Sequence, residues 1–240
     1  MLYHCMEPNV QILYELGPCM AVCKPAGLST QAPPGIDSLE VRIKEYLRRR
    51  DNRLGKVYLG VPHRLDRPAS GVLVFGLHSR AAHRLSLQFE RRQIQKVYWA
   101  CVQGLVSPSS GTWTDHLRKI PDQPRAEVVD GTHPESRLAV LHYETLATAD
   151  WGSWLQIQLE TGRMHQIRIQ AATRGHPLLG DVFYGATRDF GPPQTDERFR
   201  AIALHARSLT FQHPMTREMV TVTAPVPPAW DELGIAVASG

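Results

Sequence analysis

Short segments rich in apolar, β-branched and aromatic residues recur along the chain, and several of them end at glycine or proline. Such segments are typical of β-strands whose ends are set by turns. The segments expected to form strands are 11–15, 20–24, 71–76, 94–104, 137–146, 154–160, 202–211 and 218–223. Residues 105–136 contain scattered Pro, Gly, Ser and Asp and are expected to be mostly loop or irregular hairpin. Many strands with few helices do not follow a regular βαβ alternation, so the sequence predicts the α+β class.

Three segments are expected to be helical. The first follows Ser38, a residue type that caps helices, and its apolar residues recur at four-residue spacing: Leu39, Ile43 and Leu47. The second is expected to have Ser79 as its N-cap. The third is expected to begin near Gly162 and to end near Gly175.

Positive charge is concentrated in one part of the chain. Residues 40–96 contain fourteen Lys or Arg and five Asp or Glu, a local charge of +9, whereas the other 13 basic and 18 acidic residues give −5. The clusters are Arg48, Arg49 and Arg50, then Arg64 and Arg67, then Arg91, Arg92 and Lys96. Such a block favours a polyanionic partner, although for the run of three arginines alone a solvated helix face is the preferred interpretation.

The segment HRLDRPASG (63–71) places a single carboxylate, Asp66, between Arg64 and Arg67. An aspartate has a pKa of roughly 3.9, and neighbouring arginines favour its ionised form, so Asp66 suits a nucleophile or a charge stabiliser better than a general acid. Pro68 and Gly71 predict a turn after the acid. An ordinary surface ion pair is the alternative interpretation.

Two further segments carry chemically useful side chains. KVYWACVQG has Tyr98 on a predicted strand, where an aromatic residue is usually part of the core. TGRMHQIRIQ places Arg163, His165 and Arg168 at the start of a predicted helix. Helix N-termini favour anions, and arginine binds carboxylates or phosphates through two hydrogen bonds. A cationic amphipathic helix without a ligand is the alternative.

These segments together resemble a known family. HRLDRPASG resembles the catalytic motif of pseudouridine synthases of the RluA-like branch. KPAGL, KVYWACVQG, TGRMHQIRIQ and GHPLLGDVFYG occur in the order and approximate spacing of the family's other motifs, over about residues 20–210. Two positions depart from the family pattern: Ala69 stands where threonine is commoner, and Gln170 where histidine is commoner.

The resemblance implies a fold and a reaction. The fold is a single catalytic domain over residues 1–240, with a mixed, largely antiparallel sheet, flanking helices and a central RNA-binding cleft. The reaction detaches uracil from its ribose within RNA, rotates it and rejoins it through carbon, with no metal and no organic cofactor. About ten residues precede the first predicted strand, so no separate N-terminal RNA-binding domain is expected. Similarly compact relatives modify transfer RNA or large-subunit ribosomal RNA, and both remain open.

The resemblance also implies roles for individual residues. Asp66 is the essential catalytic carboxylate, whether it attacks the base or the sugar. Tyr98 stacks against the base and removes a proton in the last step, and Arg163 holds Asp66 through an ion pair. Arg64 enters the RNA stack where the target base has left. The other residues expected to bind RNA are basic: Lys24, Arg48, Arg49, Arg50, His165 and Arg168.

Two alternatives to this function stay open at the level of sequence. A metal-dependent hydrolase would use ligands among His63, Asp66, His165, His176 and Asp181, but no compact spacing such as HExxH is present. A non-catalytic RNA-binding protein on the same fold would have no chemical reason to keep Asp66, Tyr98 and Arg163 together.

The sequence also bears on the protein's surroundings. The N-terminus does not read as a secretory signal, no run of eighteen apolar residues occurs, and the four cysteines form no CxxC pair. We therefore expect a soluble, cytoplasmic protein with reduced cysteines. RNA is the expected partner, with no membrane, no obligatory protein partner, and a monomer as the default state.

Overall fold

The computed structural model describes residues 10–234, in which ten strands form one sheet. The strands are β1 (Gln11–Leu16), β2 (Cys19–Lys24), β3 (Ser70–Gly76), β4 (Gln95–Gln103), β5 (Ser110–Lys119), β6 (Ala126–Val129), β7 (Arg137–Ala149), β8 (Gly152–Leu159), β9 (Leu204–Gln212) and β10 (Met219–Thr223). Their order is β1-β2-β3-β9-β4-β8-β7-β5-β6, and β10 also pairs with β9. Only β3 and β9 pair in parallel among these strands. The predicted α+β fold with a mixed, largely antiparallel sheet is confirmed.

Three α-helices accompany the sheet in the described residues: α1 (Leu39–Arg50), α2 (Ser79–Glu90) and α3 (Gln166–Ala172). Ser38 caps α1 as predicted, because its hydroxyl accepts a hydrogen bond from the Val41 amide. The predicted cap of α2 is wrong, since His78 fills that position through its ring nitrogen. None of the helices in residues 10–234 is long and apolar enough to cross a membrane.

The third helix is shorter than predicted. It begins at Gln166 rather than near Gly162, because His165 has a left-handed backbone with φ of 51°. A non-glycine residue in this region interrupts the right-handed helical path, so the chain turns before it enters α3. Residues 162–165 thus form a loop beside β7 and β8.

Residues 105–136 are more regular than predicted. Strands β5 and β6 form an antiparallel hairpin, and β5 also pairs with β7 over eight positions. Trp113 and Leu117 are the buried side chains of β5, and they are separated by Thr, Asp and His, which dilute the apolar signal of a strand. Packing of two large side chains four residues apart therefore outweighs the polar composition.

Strand β3, which pairs in parallel with β9, begins four residues after Asp66. A turn closes when the Ala69 amide donates to the Asp66 carbonyl at 3.1 Å, and β3 begins at Ser70. Gly71 has φ of 121°, and a Cβ at that position would lie 2.3 Å from the carbonyl oxygen of Ala206 in β9. Only glycine fits this approach. The turn and Gly71 together hold the Asp66 loop against the middle of the sheet.

A buried histidine on β9 supports the same strand junction and gives the fold a pH dependence. The Nδ1 atom of His205 lies 2.8 Å from the Ser70 hydroxyl, and neither side chain is exposed by more than 2 %. Burial lowers the pKa of His205 to about 4. Because the unfolded imidazole titrates near 6.5, the unfolded state binds the extra proton between pH 6.5 and pH 4.

We therefore expect the free energy of unfolding to fall as the pH is lowered from 6.5 to 4. The contribution of this one group has a slope of up to about 1.4 kcal/mol per pH unit, and it is flat above that range. Urea unfolding of the parent and of a His205→Gln variant at several pH values measures the slope of the free energy of unfolding against pH in each protein. An equal slope in both proteins would show that other groups cause the dependence.

Candidate active site

Backbone contacts on both sides fix the loop that carries Asp66. The Thr30 hydroxyl accepts from the Leu65 amide and donates to the Leu65 carbonyl, each at 3.1 Å. On the other side, the Lys24 ammonium donates to the Arg67 carbonyl at 3.1 Å. The Asp66 carboxylate between them is 26 % exposed. The carboxylate is thus held in place while it stays accessible.

Lys24 does not bind RNA in the way predicted. Its side chain is completely buried, and its ammonium also donates to the carbonyls of Pro25 at 2.8 Å and Leu28 at 2.7 Å. Burial lowers the pKa of Lys24 to about 7, and the nearby Asp66 carboxylate acts in the opposite direction. An ammonium with three backbone acceptors has no donor left for a phosphate. Its role is to fasten the segment KPAGL to the Asp66 loop.

The ion pair of Asp66 is made by Arg168, and the prediction that Arg163 makes it is wrong. Arg168 Nη1 lies 3.2 Å from Asp66 Oδ2. Arg163 instead donates from Nε to the Leu138 carbonyl at 2.9 Å. The late start of α3 explains the difference, because it places Arg168 on the first turn of the helix and leaves Arg163 in the preceding loop, beside β7.

Arg168 is itself held by Asp181, which from the sequence was only a candidate ligand of the alternative metal-dependent hydrolase. The Asp181 carboxylate is 1 % exposed and accepts two hydrogen bonds from Arg168, from Nε at 2.6 Å and from Nη2 at 2.8 Å. This planar, two-bond contact fixes the guanidinium and leaves Nη1 for Asp66. Asp66, Arg168 and Asp181 thus form a carboxylate–guanidinium–carboxylate bridge from the buried side of the site to its accessible side.

His165, like Arg168, lies beside the Asp66 carboxylate. Its Nε2 atom is 3.8 Å from Asp66 Oδ1, and its Nδ1 atom is 2.9 Å from the Tyr184 hydroxyl. Burial lowers the pKa of His165, although the Asp66 carboxylate opposes this shift. Tyr184 also accepts from the Ala126 amide at 3.1 Å, which ties the site to β6. Asp181 and Tyr184 both belong to the segment GHPLLGDVFYG, so that motif was the signal for them.

Asp66 lies on the wall of a cavity of about 490 Å³, called here the first cavity. Tyr98 lies on the same wall and is 9 % exposed. Burial and the Asp66 carboxylate raise the pKa of Tyr98 well above its ordinary value, so its hydroxyl is protonated at neutral pH. The basic residues that line the first cavity are Arg64, Arg92, Lys96, Arg163 and Arg168.

Asp66 also borders a second cavity of about 800 Å³ on the side of Asp181 and Phe183. Six residues line both cavities: Arg64, Leu65, Asp66, Met164, His165 and Arg168. The catalytic candidate is therefore placed between two spaces, and only the first contains Tyr98.

The arginine run on α1 is not brought to either of these cavities. Arg48 and Arg49 pair with Glu45, and Arg50 pairs with Glu15. These local pairs offset part of the positive charge that the sequence suggested for RNA binding. An RNA contact at this run stays a prediction.

Metal ligation has no support from the residues that the alternative hydrolase would use. Residues 10–234 contain no group of three or more His, Cys, Asp or Glu side chains arranged to hold a metal ion. The ring nitrogens of His63 and His176 contact the backbone at Val74 and Gln103. Cys19, Cys23 and Cys101 are free, and Cys5 lies outside the described residues.

Several known proteins are similar to this chain in sequence. The profile of the family described as RNA pseudouridylate synthase matches residues 19–173. A tRNA pseudouridine synthase C from Pasteurella multocida is 32 % identical over 94 % of this chain and 95 % of its own length. A ribosomal large subunit pseudouridine synthase D from Xanthomonas campestris is 34 % identical over 91 % of this chain and 66 % of its own.

A solved structure supports the same fold. Human RNA pseudouridylate synthase domain containing 4 superposes with a TM-score of 0.74 at 22 % identity, over 91 % of this chain and 89 % of that chain. The profile covers well over half of the chain, and the Pasteurella relative matches 94 % of it. The chain therefore belongs to the RluA-like branch of the RNA pseudouridine synthases, a family of isomerases that act on uridine in RNA.

Proposed function

We propose that this protein converts uridine to pseudouridine in transfer RNA or large-subunit ribosomal RNA, with Asp66 as the essential carboxylate. One observation carries the proposal: Asp66 is held by Arg168 on the wall of a cavity that also contains Tyr98. The two RNA classes come from the printed names of the Pasteurella and Xanthomonas relatives.

The target uridine has to leave the RNA stack to reach this cavity. Taking one base out of a folded RNA costs a few kcal/mol in lost stacking and pairing. Arg64 is exposed, borders the first cavity and directly precedes Leu65 and Asp66. We assign to Arg64 the space that the flipped base leaves, where its guanidinium can stack on the neighbouring bases.

The reaction exchanges two bonds at one base. The bond from ribose C1′ to uracil N1 breaks, a bond from C1′ to C5 forms, the proton leaves C5, and N1 gains one. Atoms and electrons balance without an oxidant or reductant, so the reaction needs no redox cofactor. As the family resemblance implies, we propose that neither a metal nor another organic cofactor takes part. Asp66 supplies the carboxylate for the covalent step.

Tyr98 is assigned to the base. Its ring borders the cavity in which the uracil would lie, so stacking is its first role. The raised pKa keeps its hydroxyl protonated in the free protein. A protonated hydroxyl cannot accept the C5 proton, so Tyr98 can act as the base only after its own proton has passed to another acceptor, such as uracil N1, which gains a proton in the reaction. We propose that this exchange occurs only once the base is bound.

Arg168 takes the role that the sequence assigned to Arg163. A guanidinium fixed by Asp181 can orient the Asp66 carboxylate without moving during the reaction. Arg163 lies in the same cavity and has no contact with Asp66, so we propose that it binds the RNA backbone together with Arg92 and Lys96.

Chemical mapping of pseudouridine tests the proposal. The protein is incubated with transfer RNA and large-subunit ribosomal RNA transcripts, and product is mapped at single-nucleotide resolution. We expect product at one or a few uridines, without added metal and in the presence of a chelator. RNA binding without product in every transcript would favour the non-catalytic alternative, and loss of product with the chelator would favour a metal-dependent enzyme.

A further inference from the structure

The second cavity has no task in the chemistry assigned to Asp66 and Tyr98. Its volume of about 800 Å³ lies within the range of roughly 300–1,000 Å³ that is typical of sites for small ligands. It joins the first cavity at Asp66 and Arg168. A nucleotide adjacent to one bound in the first cavity is therefore within reach of the second.

Four arginines besides Arg168 line this cavity, and two of them form no ion pair within the described residues. Arg64 and Arg67 line it and are both exposed. Within residues 10–234, neither has a carboxylate oxygen within 4.0 Å. The Arg67 guanidinium donates to the Ser29 hydroxyl at 2.8 Å, and after Arg198 it helps to lower the pKa of the nearby Asp196. Arg198 and Arg200 also line the cavity, but each has an acidic partner: Arg198 makes a two-bond contact with Asp196, and Arg200 lies 3.5 Å from Glu197. The phosphate site is therefore assigned to Arg64 and Arg67. The cavity is thus suited to phosphate.

An exposed aromatic ring lies in the same cavity. Phe183 is 44 % exposed, although a phenylalanine is normally buried. It is held by Arg125, whose guanidinium carbon is 5.2 Å from the ring centroid, and by Tyr184, whose ring is 5.3 Å away, edge to face. An accessible aromatic ring beside cations is the arrangement that binds a nucleotide in single-stranded RNA, with the base on the ring and the phosphate on the cations.

We infer that the second cavity binds the nucleotide next to the target uridine, with its base on Phe183 and its phosphate on Arg67. This inference rests on the proposed function, because it requires the target uridine in the first cavity. It gives Arg67 a role, and it makes Phe183 a residue that contributes to substrate choice. The site would select RNA in which both the target and its neighbour leave the stack.

The test uses the shortest hairpin RNA that the parent protein still modifies. Two variant hairpins each carry one abasic nucleotide, on the 5′ side of the target uridine in one hairpin and on its 3′ side in the other. Phe183→Ala is expected to lower kcat/KM by about tenfold on the unmodified hairpin, because stacking on an aromatic ring contributes about that factor. On one of the two abasic hairpins, the Phe183→Ala variant and the parent protein should have equal kcat/KM, because the base that would stack on Phe183 is absent.

Matched variants separate stacking from loss of structure. Phe199→Ala removes another exposed phenylalanine, one that lines neither cavity, and should leave kcat/KM unchanged. Phe183→Trp should keep most of the activity on the unmodified hairpin, because tryptophan offers a larger ring for stacking. Circular dichroism and thermal unfolding confirm that each variant is folded.

A second measurement addresses the phosphate. Arg67→Gln should weaken binding of the hairpin and reduce the slope of log affinity against log salt by about one, whereas Arg217→Gln, in the turn between β9 and β10, should leave both unchanged. A tenfold loss with Phe183→Ala that is the same on all three hairpins would overturn the inference, as would no loss at all. Absence of product with the parent protein in every transcript would overturn the proposed function, and this inference with it.

Discussion

Replacing Asp66 with asparagine is expected to abolish pseudouridine formation while leaving RNA binding nearly unchanged. Asparagine has almost the same shape as aspartate, so the loop held by Thr30 and Lys24 should keep its conformation. Arg168 keeps both hydrogen bonds to Asp181. The carboxylate charge and its nucleophilic oxygen are lost, which is expected to lower kcat by about 10³-fold or more.

The comparison of product and binding makes this prediction specific. Product formed in a single turnover and affinity for the same transcript are measured for the parent, for Asp66→Asn and for a control, Asp37→Asn. Asp37 is an exposed acid paired with Arg42, outside both cavities. Turnover of Asp66→Asn within tenfold of the parent would remove Asp66 from the chemistry, and a large loss of affinity would show that its main task is binding.

Much of the fold was readable from the sequence, because the strands carry their own signal. Strand β3 is buried along its whole length, and its apolar run was recognised. The α1 pattern of Leu39, Ile43 and Leu47 was also recognised, and all three are buried. The regular hairpin of β5 and β6 was not readable, because the Thr, Asp and His between Trp113 and Leu117 dilute the apolar signal of a strand.

The site was predictable to a lesser degree. Motif order placed Asp66 and Tyr98 in one cavity, although 32 residues separate them along the chain. The partner of Asp66 was not predictable, because a left-handed residue, His165, shifts the start of α3 and decides which arginine faces the acid. The buried position of Lys24 was also out of reach, since a lysine in a basic chain is more often exposed.

The identity of the arginine that holds Asp66 leads to the second large effect. Arg168→Gln is expected to lower kcat by about 10²- to 10³-fold, the range seen when a fixed charge-stabilising donor is removed. It is also expected to destabilise the fold by about 3–5 kcal/mol, because Asp181 is left buried without its partner. Arg163→Gln should lower kcat by less than about tenfold, because its guanidinium contacts a carbonyl at the edge of the cavity.

A double variant separates catalysis from stability. Arg168→Gln combined with Asp181→Asn removes the buried unpaired charge, so much of the lost stability should return. Its kcat should nevertheless stay low, because no guanidinium is present to orient Asp66. Thermal unfolding and single-turnover product formation measure the two effects independently. If kcat recovered together with stability, Arg168 would be a structural residue only, and a larger loss with Arg163→Gln than with Arg168→Gln would return the role to Arg163.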